Sequence, residues 1–221
     1  MLAMRPWLAT EPTCSVMEIN CARGEHDNGM DSVSFHKMLT SVEPKSIKAL
    51  VLSGCAQLHM PPAIQLLPAL LIFKIYNSTI DQWDASSELR DDFNPSLLMV
   101  YFCDTNFTRS EIPVGILGNN IPHQLVDVEF SGTNLVGLPT DLHTTWPSIM
   151  YFVLERSPGI TAFPETIITM NIPQLMLGSN SITSIPDDWL AGQAFWKLML
   201  DGNPLEKLPN AIGTVRDLYK V

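Results

Sequence analysis

One spacing constrains this chain more than any other feature. Near the C-terminus Ile172, Leu175, Leu177, Asn180 and Ile182 precede Ile185-Pro186, and one period later Phe195, Leu198, Leu200, Asn203 and Leu205 precede Leu208-Pro209. Weaker copies begin at Ile149 (Phe152, Leu154, Ser157, Ile160, Pro164), Leu125 (Val128, Phe130, Thr133, Leu135, Leu138, Pro139) and Leu97 (Val100, Phe102, Thr105, Phe107, Ile112, Pro113). Earlier ones begin at Leu70 (Phe73, Ile75, Ser78, Ile80) and Ile47 (Leu50, Leu52, Cys55, Leu58). The starts at 47, 70, 97, 125, 149, 172 and 195 are separated by 23, 27, 28, 24, 23 and 23 residues. A period in this range is the mark of a stacked array rather than of a closed globule.

The pattern has a physical reading. An alternating apolar-x-apolar step makes a short strand with two side chains on one face. The polar residue three places on also turns inward, where an Asn amide can bond backbone groups that the bend leaves unpaired; Ser or Thr can do this less completely. Proline then opens the return segment. A single such unit cannot bury its apolar face, so neighbours must stack to supply the core, and 46% hydrophobic content is ample for that.

These residues resemble the leucine-rich-repeat family, in particular its short, LP-containing branch: Leu208-Pro209, Ile212-Gly213, Val215 and Leu218 follow that branch's LPxxIGxLxxL. The resemblance covers about residues 47–221, with Ser78, Thr105, Thr133 and Ser157 standing where the family has Asn and Cys55 a known alternative there. It implies an α/β-type repeat solenoid, a curved horseshoe with a parallel concave sheet and an irregular or short-helical convex side. Residues 1–46 are expected to form an atypical first repeat or cap, with Val16, Ile19 and Cys21 at the strand positions. A helix then carries Phe35, Met38, Leu39 and Val42 after a cap at Asp31 or Ser32. Leu218 and Val221 open an eighth repeat that stops, which suggests a fragment of a longer array.

In such a stack the residues between the inward leucines line the concave face. They give the columns Ala49, Ile72, Met99, Asp127, Tyr151, Gln174, Lys197; Val51, Lys74, Tyr101, Glu129, Val153, Met176, Met199; and Ser53, Tyr76, Cys103, Ser131, Glu155, Gly178, Asp201. Ile72, Tyr76, Met99 and Tyr101 form one apolar cluster and Tyr151, Val153, Met176 and Met199 a second, with Asp127 and Glu129 between them and Asp104 and Glu155 nearby. This is the arrangement expected to bind a protein or peptide carrying a basic residue flanked by hydrophobics. The ordinary alternative is a solvated face, with binding left to loops. Two insertions, Asp84–Asp92 and Gly115–Gln124, are expected as loops, more often tolerated surface length than contact sites.

The remaining features mostly exclude. A formal net charge of −10 repels phosphates and argues against nucleic acid or an anionic membrane as partner. No apolar stretch is long enough to span a bilayer; the longest, around Ala63–Ile75, is broken by Gln65, Pro68 and Lys74. No catalytic motif occurs, and His26, His36, His59, His123 and His143 lack partners at a motif spacing. No cofactor is implied. Asp127 and Glu129 could hold Ca²⁺ with Asp104 or Glu155, against a much stronger expectation of a solvated acidic patch.

Four cysteines, Cys14, Cys21, Cys55 and Cys103, read as too scattered for a disulfide framework. A buried Cys21 with a free Cys14 is favoured over a Cys14–Cys21 bond. The sequons at Asn77 and Asn106 matter only if the chain meets the secretory pathway. The leading expectation is therefore a non-catalytic protein-interaction module. The alternatives are the sensing ectodomain of a membrane receptor, or a regulatory segment of a larger signalling enzyme such as a kinase. Compartment follows that choice: cytoplasmic if the chain is complete, extracellular if it is a piece of a membrane protein.

Overall fold

The computed structural model describes residues 11–23, 32–146, 148–187, 189–190, 195–210 and 212. One strand per repeat builds a single open sheet: β1 (Val16–Asn20), β2 (Ala49–Ser53), β4 (Ile72–Gln82), β5 (Met99–Phe107), β6 (Asp127–Ser131), β7 (Tyr151–Glu155), β8 (Gln174–Met176) and β9 (Lys197–Met199). Every pairing is parallel, and a two-residue strand β3 (Leu58–His59) joins the far end of β4. The sheet never closes. Parallel neighbours demand a crossover after each strand, and here the return segments provide it as single 3-10 turns (Pro44–Ser46, Pro62–Leu66, Ala85–Ser87, Val114–Ile116) or as the short helices α2 (Leu142–Thr145) and α3 (Thr166–Met170). The result is a curved solenoid with the sheet on its inner side.

Register follows the repeat. Leu50, Phe73, Val100, Val128, Phe152, Leu175 and Leu198 align strand to strand, and all are buried. The next inward column, Leu52, Ile75, Phe102, Phe130, Leu154, Leu177 and Leu200, is buried as well. Between repeats the interior is welded by rings: Phe102 and Phe130 stack with centroids 4.9 Å apart, and Phe130 meets Trp146 at 6.4 Å and Phe152 at 6.2 Å. The tryptophans come from the return side, so aromatic packing joins the sheet to the convex wall.

The inward polar column behaves as its chemistry predicts. Asn180 Nδ2 donates to the carbonyls of Leu154 and Leu177, while its Oδ1 accepts from the Ser157 N–H. Asn203 does the same for Leu177, Leu200 and Ile182. Ser78 manages only two, accepting from the Cys55 N–H and donating to the Tyr76 carbonyl.

The N-terminal repeat departs from expectation in its register. Met17 and Ile19 point into the core opposite Leu50 and Leu52, whereas Val16 pairs with Ala49 on the concave, solvent-facing side of the sheet and is 64% exposed. The first inward position is taken by buried Cys14. The slip is two residues, so the inward face is kept while Cys14, Met17 and Ile19 take the places expected of Val16, Ile19 and Cys21. Cys21 lies beyond β1 in a 3-10 turn, and it is bonded to Cys55 rather than left free or joined to Cys14. The repeat spacing puts Cys55 at the inward polar position, directly beside the end of β1. Helix α1 (Ser32–Leu39) forms with Phe35 and Leu39 buried and Met38 half-buried, but it ends before Val42, which is buried in the bend that follows. The cap at Asp31 and the eighth-repeat residues Leu218 and Val221 lie outside the described residues.

The insertions are not free loops. The backbone N–H of Leu89 bonds the Gly115 carbonyl and that of Asp91 bonds the Asn120 carbonyl, while Asp91 accepts from the His123 N–H and Asp92 contacts Asn120. The two long repeats thus brace each other on the convex side. Asn94, fully buried, donates to the carbonyls of Ile64 and Leu67 and ties the first insertion to the preceding repeat.

Candidate partner-binding face

The strand pairings set the inner face side by side. Ala49, Ile72, Met99, Asp127, Tyr151, Gln174 and Lys197 make one row; Val51, Lys74, Tyr101, Glu129, Val153, Met176 and Met199 make the next. At ~4.8 Å between strands the rows extend over roughly 30 Å, the scale of a standard protein interface. Ile72, Met99, Tyr101, Tyr151, Met176 and Met199 are half-buried, Tyr76 is 45% exposed, and Val153 is only 6% exposed, so the last supports its neighbours more than it offers surface.

The expected clusters are brought together with one addition. Lys74 stands between Val51 and Tyr101 in the midst of the first, its Nζ 5.7 Å from the Tyr76 ring centroid. In the second, Lys197 Nζ lies 3.3 Å from Met176 Sδ. Cations therefore flank the face.

Its centre is acidic and poorly compensated. Asp127 is 9% exposed; its Oδ2 accepts from the Tyr101 hydroxyl at 2.9 Å, while its Oδ1 is buried without a partner. Burial pushes the Asp127 carboxyl above the usual range, opposed only by the Tyr101 bond. Glu129 is raised by burial and by the Asp127 charge, with Lys74 opposing. Glu155 is raised by burial and by Asp201, with Lys197 and Arg156 opposing. The Tyr101 phenol is pushed far up by burial and by the carboxylate it faces. Among the described residues Asp127 makes no ion pair.

Arg156 was not among the residues the repeat columns pick out, yet it shapes the rim. Its guanidinium reaches back across two repeats, with Nη1 3.2 Å from Asp104 Oδ1 and Nη2 3.1 Å from Ser131 Oγ. Arg156 belongs to a column that the sequence does signal: Gly54, Asn77, Asp104, Gly132, Arg156, Ser179 and Gly202 all have positive φ. Gly, Asn and Asp at one repeat position are the turn-formers of left-handed backbone, and this bend carries the chain off the sheet.

Among the described residues no group of three or more His, Cys, Asp or Glu is placed to hold a metal ion, and no helix is long and apolar enough to cross a membrane. A cleft of about 570 Å³ lies on the flank, between residues 80–84 and 107–114, rather than on the inner face.

No protein-family model matches the chain, and no curated protein matches it. Its likeness is to solved structures. A Leptospira interrogans leucine-rich-repeat protein superposes with a TM-score of 0.62 at 18% identity, over 80% of this chain and 48% of that one. The leucine-rich-repeat domain of the type III effector XopL gives 0.63 at 14% identity, over 94% and 67%. TLR13, in its complex with a single-stranded RNA, gives 0.60 at 14% identity, over 93% and 32%. The chain spans about half the length of the first of these and a third of the last. Likeness at such identities establishes architecture, and with the register above it leads to one conclusion: this chain folds as a leucine-rich-repeat solenoid.

Proposed function

We propose that the chain is a non-catalytic interaction module that binds a protein or peptide on its inner face, taking a basic side chain at Asp127 and Glu129 with apolar neighbours seated on Ile72, Tyr76, Met99 and Tyr101 to one side and Tyr151, Met176 and Met199 to the other. The observation that carries this reading is Asp127. A carboxylate 9% exposed, with one oxygen unpartnered and no ion pair among the described residues, is costly to maintain unless something else compensates it. A partner's Lys or Arg supplies that compensation, and the half-buried Tyr and Met around it supply the apolar anchors typical of binding hot spots. A broad, shallow sheet suits a macromolecular partner better than a small ligand, which seeks a concavity. The acidic centre and the net charge of −10 also oppose RNA, the ligand in the TLR13 complex.

Panning a displayed peptide library against the purified chain tests this. Recovered peptides should carry Lys or Arg between apolar residues. Tyr101→Ala, Met176→Ala and Asp127→Asn, each folded by circular dichroism, should each weaken binding about tenfold or more, the 1–2 kcal/mol of a hot-spot residue. Undiminished binding by all three sinks the assignment of the face.

A further inference from the structure

Two features lie outside the binding face and point to one chemistry. The first is the Cys21–Cys55 disulfide, which ties the end of the first repeat to the next across 34 residues of sequence. The second is the pair of Asn-x-Ser/Thr sequons in adjacent repeats, Asn77-Ser78-Thr79 and Asn106-Phe107-Thr108.

Glycan transfer needs an Asn side chain that the fold leaves free and open to solvent. In this solenoid many asparagines are engaged in the fold: Asn20, Asn94, Asn134, Asn180 and Asn203 all hydrogen-bond through their side chains. Asn77 and Asn106 are both exposed, and neither side-chain amide bonds any described residue. Asn106 sits on β5 opposite Thr79, with Thr105 and Phe107 on either side turned into the core. Its side chain therefore leaves the sheet past the left-handed bend at Asp104, away from the inner rows. Asn77 occupies that bend itself, next to Tyr76. A bulky glycan there would crowd a proposed anchor, whereas one on Asn106 leaves the inner face open.

We propose that Asn106 carries an N-linked glycan, and that the chain acquires it in the secretory pathway, where the Cys21–Cys55 bond also forms. The transfer balances simply. The Asn106 side-chain nitrogen forms a bond to the anomeric carbon of a lipid-diphosphate-linked oligosaccharide, the bond from that carbon to the diphosphate oxygen breaks, and the amide loses one proton as the lipid diphosphate departs. The disulfide forms as the two thiols surrender two electrons and two protons to the disulfide of an oxidoreductase, which becomes a dithiol. Oxidised pairs persist in the same compartments in which such glycans are added.

The test uses the protein isolated from its own cells, as its gene encodes it. Treatment with N-glycosidase should convert Asn106 to Asp in the peptide mass spectrum and should lower the apparent mass by one glycan. Asn106→Gln should abolish that shift, and Asn77→Gln should leave it. Cys21 and Cys55 should resist alkylation until reduced. An Asn106 found unmodified, a shift that survives Asn106→Gln, or Cys21 and Cys55 alkylated without reduction overturns the proposal.

Discussion

Single positions hold this solenoid at the bend after each strand. There the chain takes left-handed backbone seven times, from Gly54 to Gly202, and an L side chain in that region costs roughly 1–2 kcal/mol. The array tolerates Arg156 and Ser179 at this bend because the residue that follows anchors it from inside. Asn180 satisfies two carbonyls and one N–H that the bend would otherwise leave buried and unpaired. Asn180→Ala should therefore lower stability by about 2–4 kcal/mol, from buried groups worth 1–3 kcal/mol each when orphaned. Asn180→Ser should cost less, since a Ser hydroxyl can still accept from the Ser157 N–H as Ser78 does from the Cys55 N–H, though it leaves the Leu154 and Leu177 carbonyls without their donor. Urea denaturation of the two variants measures this; equal losses would mean that shape, not bonding, sets the column.

At the scale of elements, the long repeats decide the convex wall. The extra residues after β4 and β5 hydrogen-bond to each other, and Trp83 packs between Phe73 and Phe102. Gly115 permits that packing: a Cβ there would lie 1.9 Å from the Trp83 ring. Gly115→Ala should displace the indole from its bond to the Ser87 carbonyl and destabilise by about 1–3 kcal/mol, the usual cost of overpacking. Near-ultraviolet circular dichroism should report the moved ring, and an unchanged spectrum with unchanged stability would refute the reading. Asn134 performs a related task at the other edge. Its amide pairs with both the N–H and the carbonyl of Phe107, closing the end of β5 where β6 no longer reaches.

Across the whole molecule, the inner face proposed to bind a partner carries a cost in stability. Asp127, Glu129 and Glu155 are all raised by burial. Between the ordinary carboxylate value and these raised values the folded chain holds more protons than the unfolded one, so this contribution to stability is lost as pH rises through that window. Asp127→Asn should thus raise Tm at about pH 7, by roughly 2–4 °C for each kcal/mol recovered, and change little near pH 3, where both states are protonated. The same substitution should weaken capture of a basic peptide. Binding by the unaltered chain should fade as pH drops, with a midpoint above the ~4 of an unperturbed carboxylate. Calorimetry across pH checks both halves; a Tm that falls on Asp127→Asn, or binding indifferent to pH, would contradict this reading.

The inward columns were legible from Ile47 to Leu200 because alternation and period are properties of the chain itself, and stacking only completes what each repeat already specifies. That is why the strand registers, the Asn bonds and the outward rows all follow from residue spacing. What escaped depended on contacts between repeats. The slip that buries Met17 and exposes Val16 could not be read from a lone irregular copy with no neighbour to set its phase. The Cys21–Cys55 bond joins residues whose proximity exists only once β1 lies beside β2. The bracing of the two insertions and the reach of Arg156 to Asp104 are likewise contacts between repeats. Asp127 could be named as an inner-face acid from its place in the repeat, but that it is buried, with one oxygen unpartnered and no ion pair among the described residues, was decided by the packing of its neighbours. Desolvation is a property of surroundings, and only the tertiary structure supplies them.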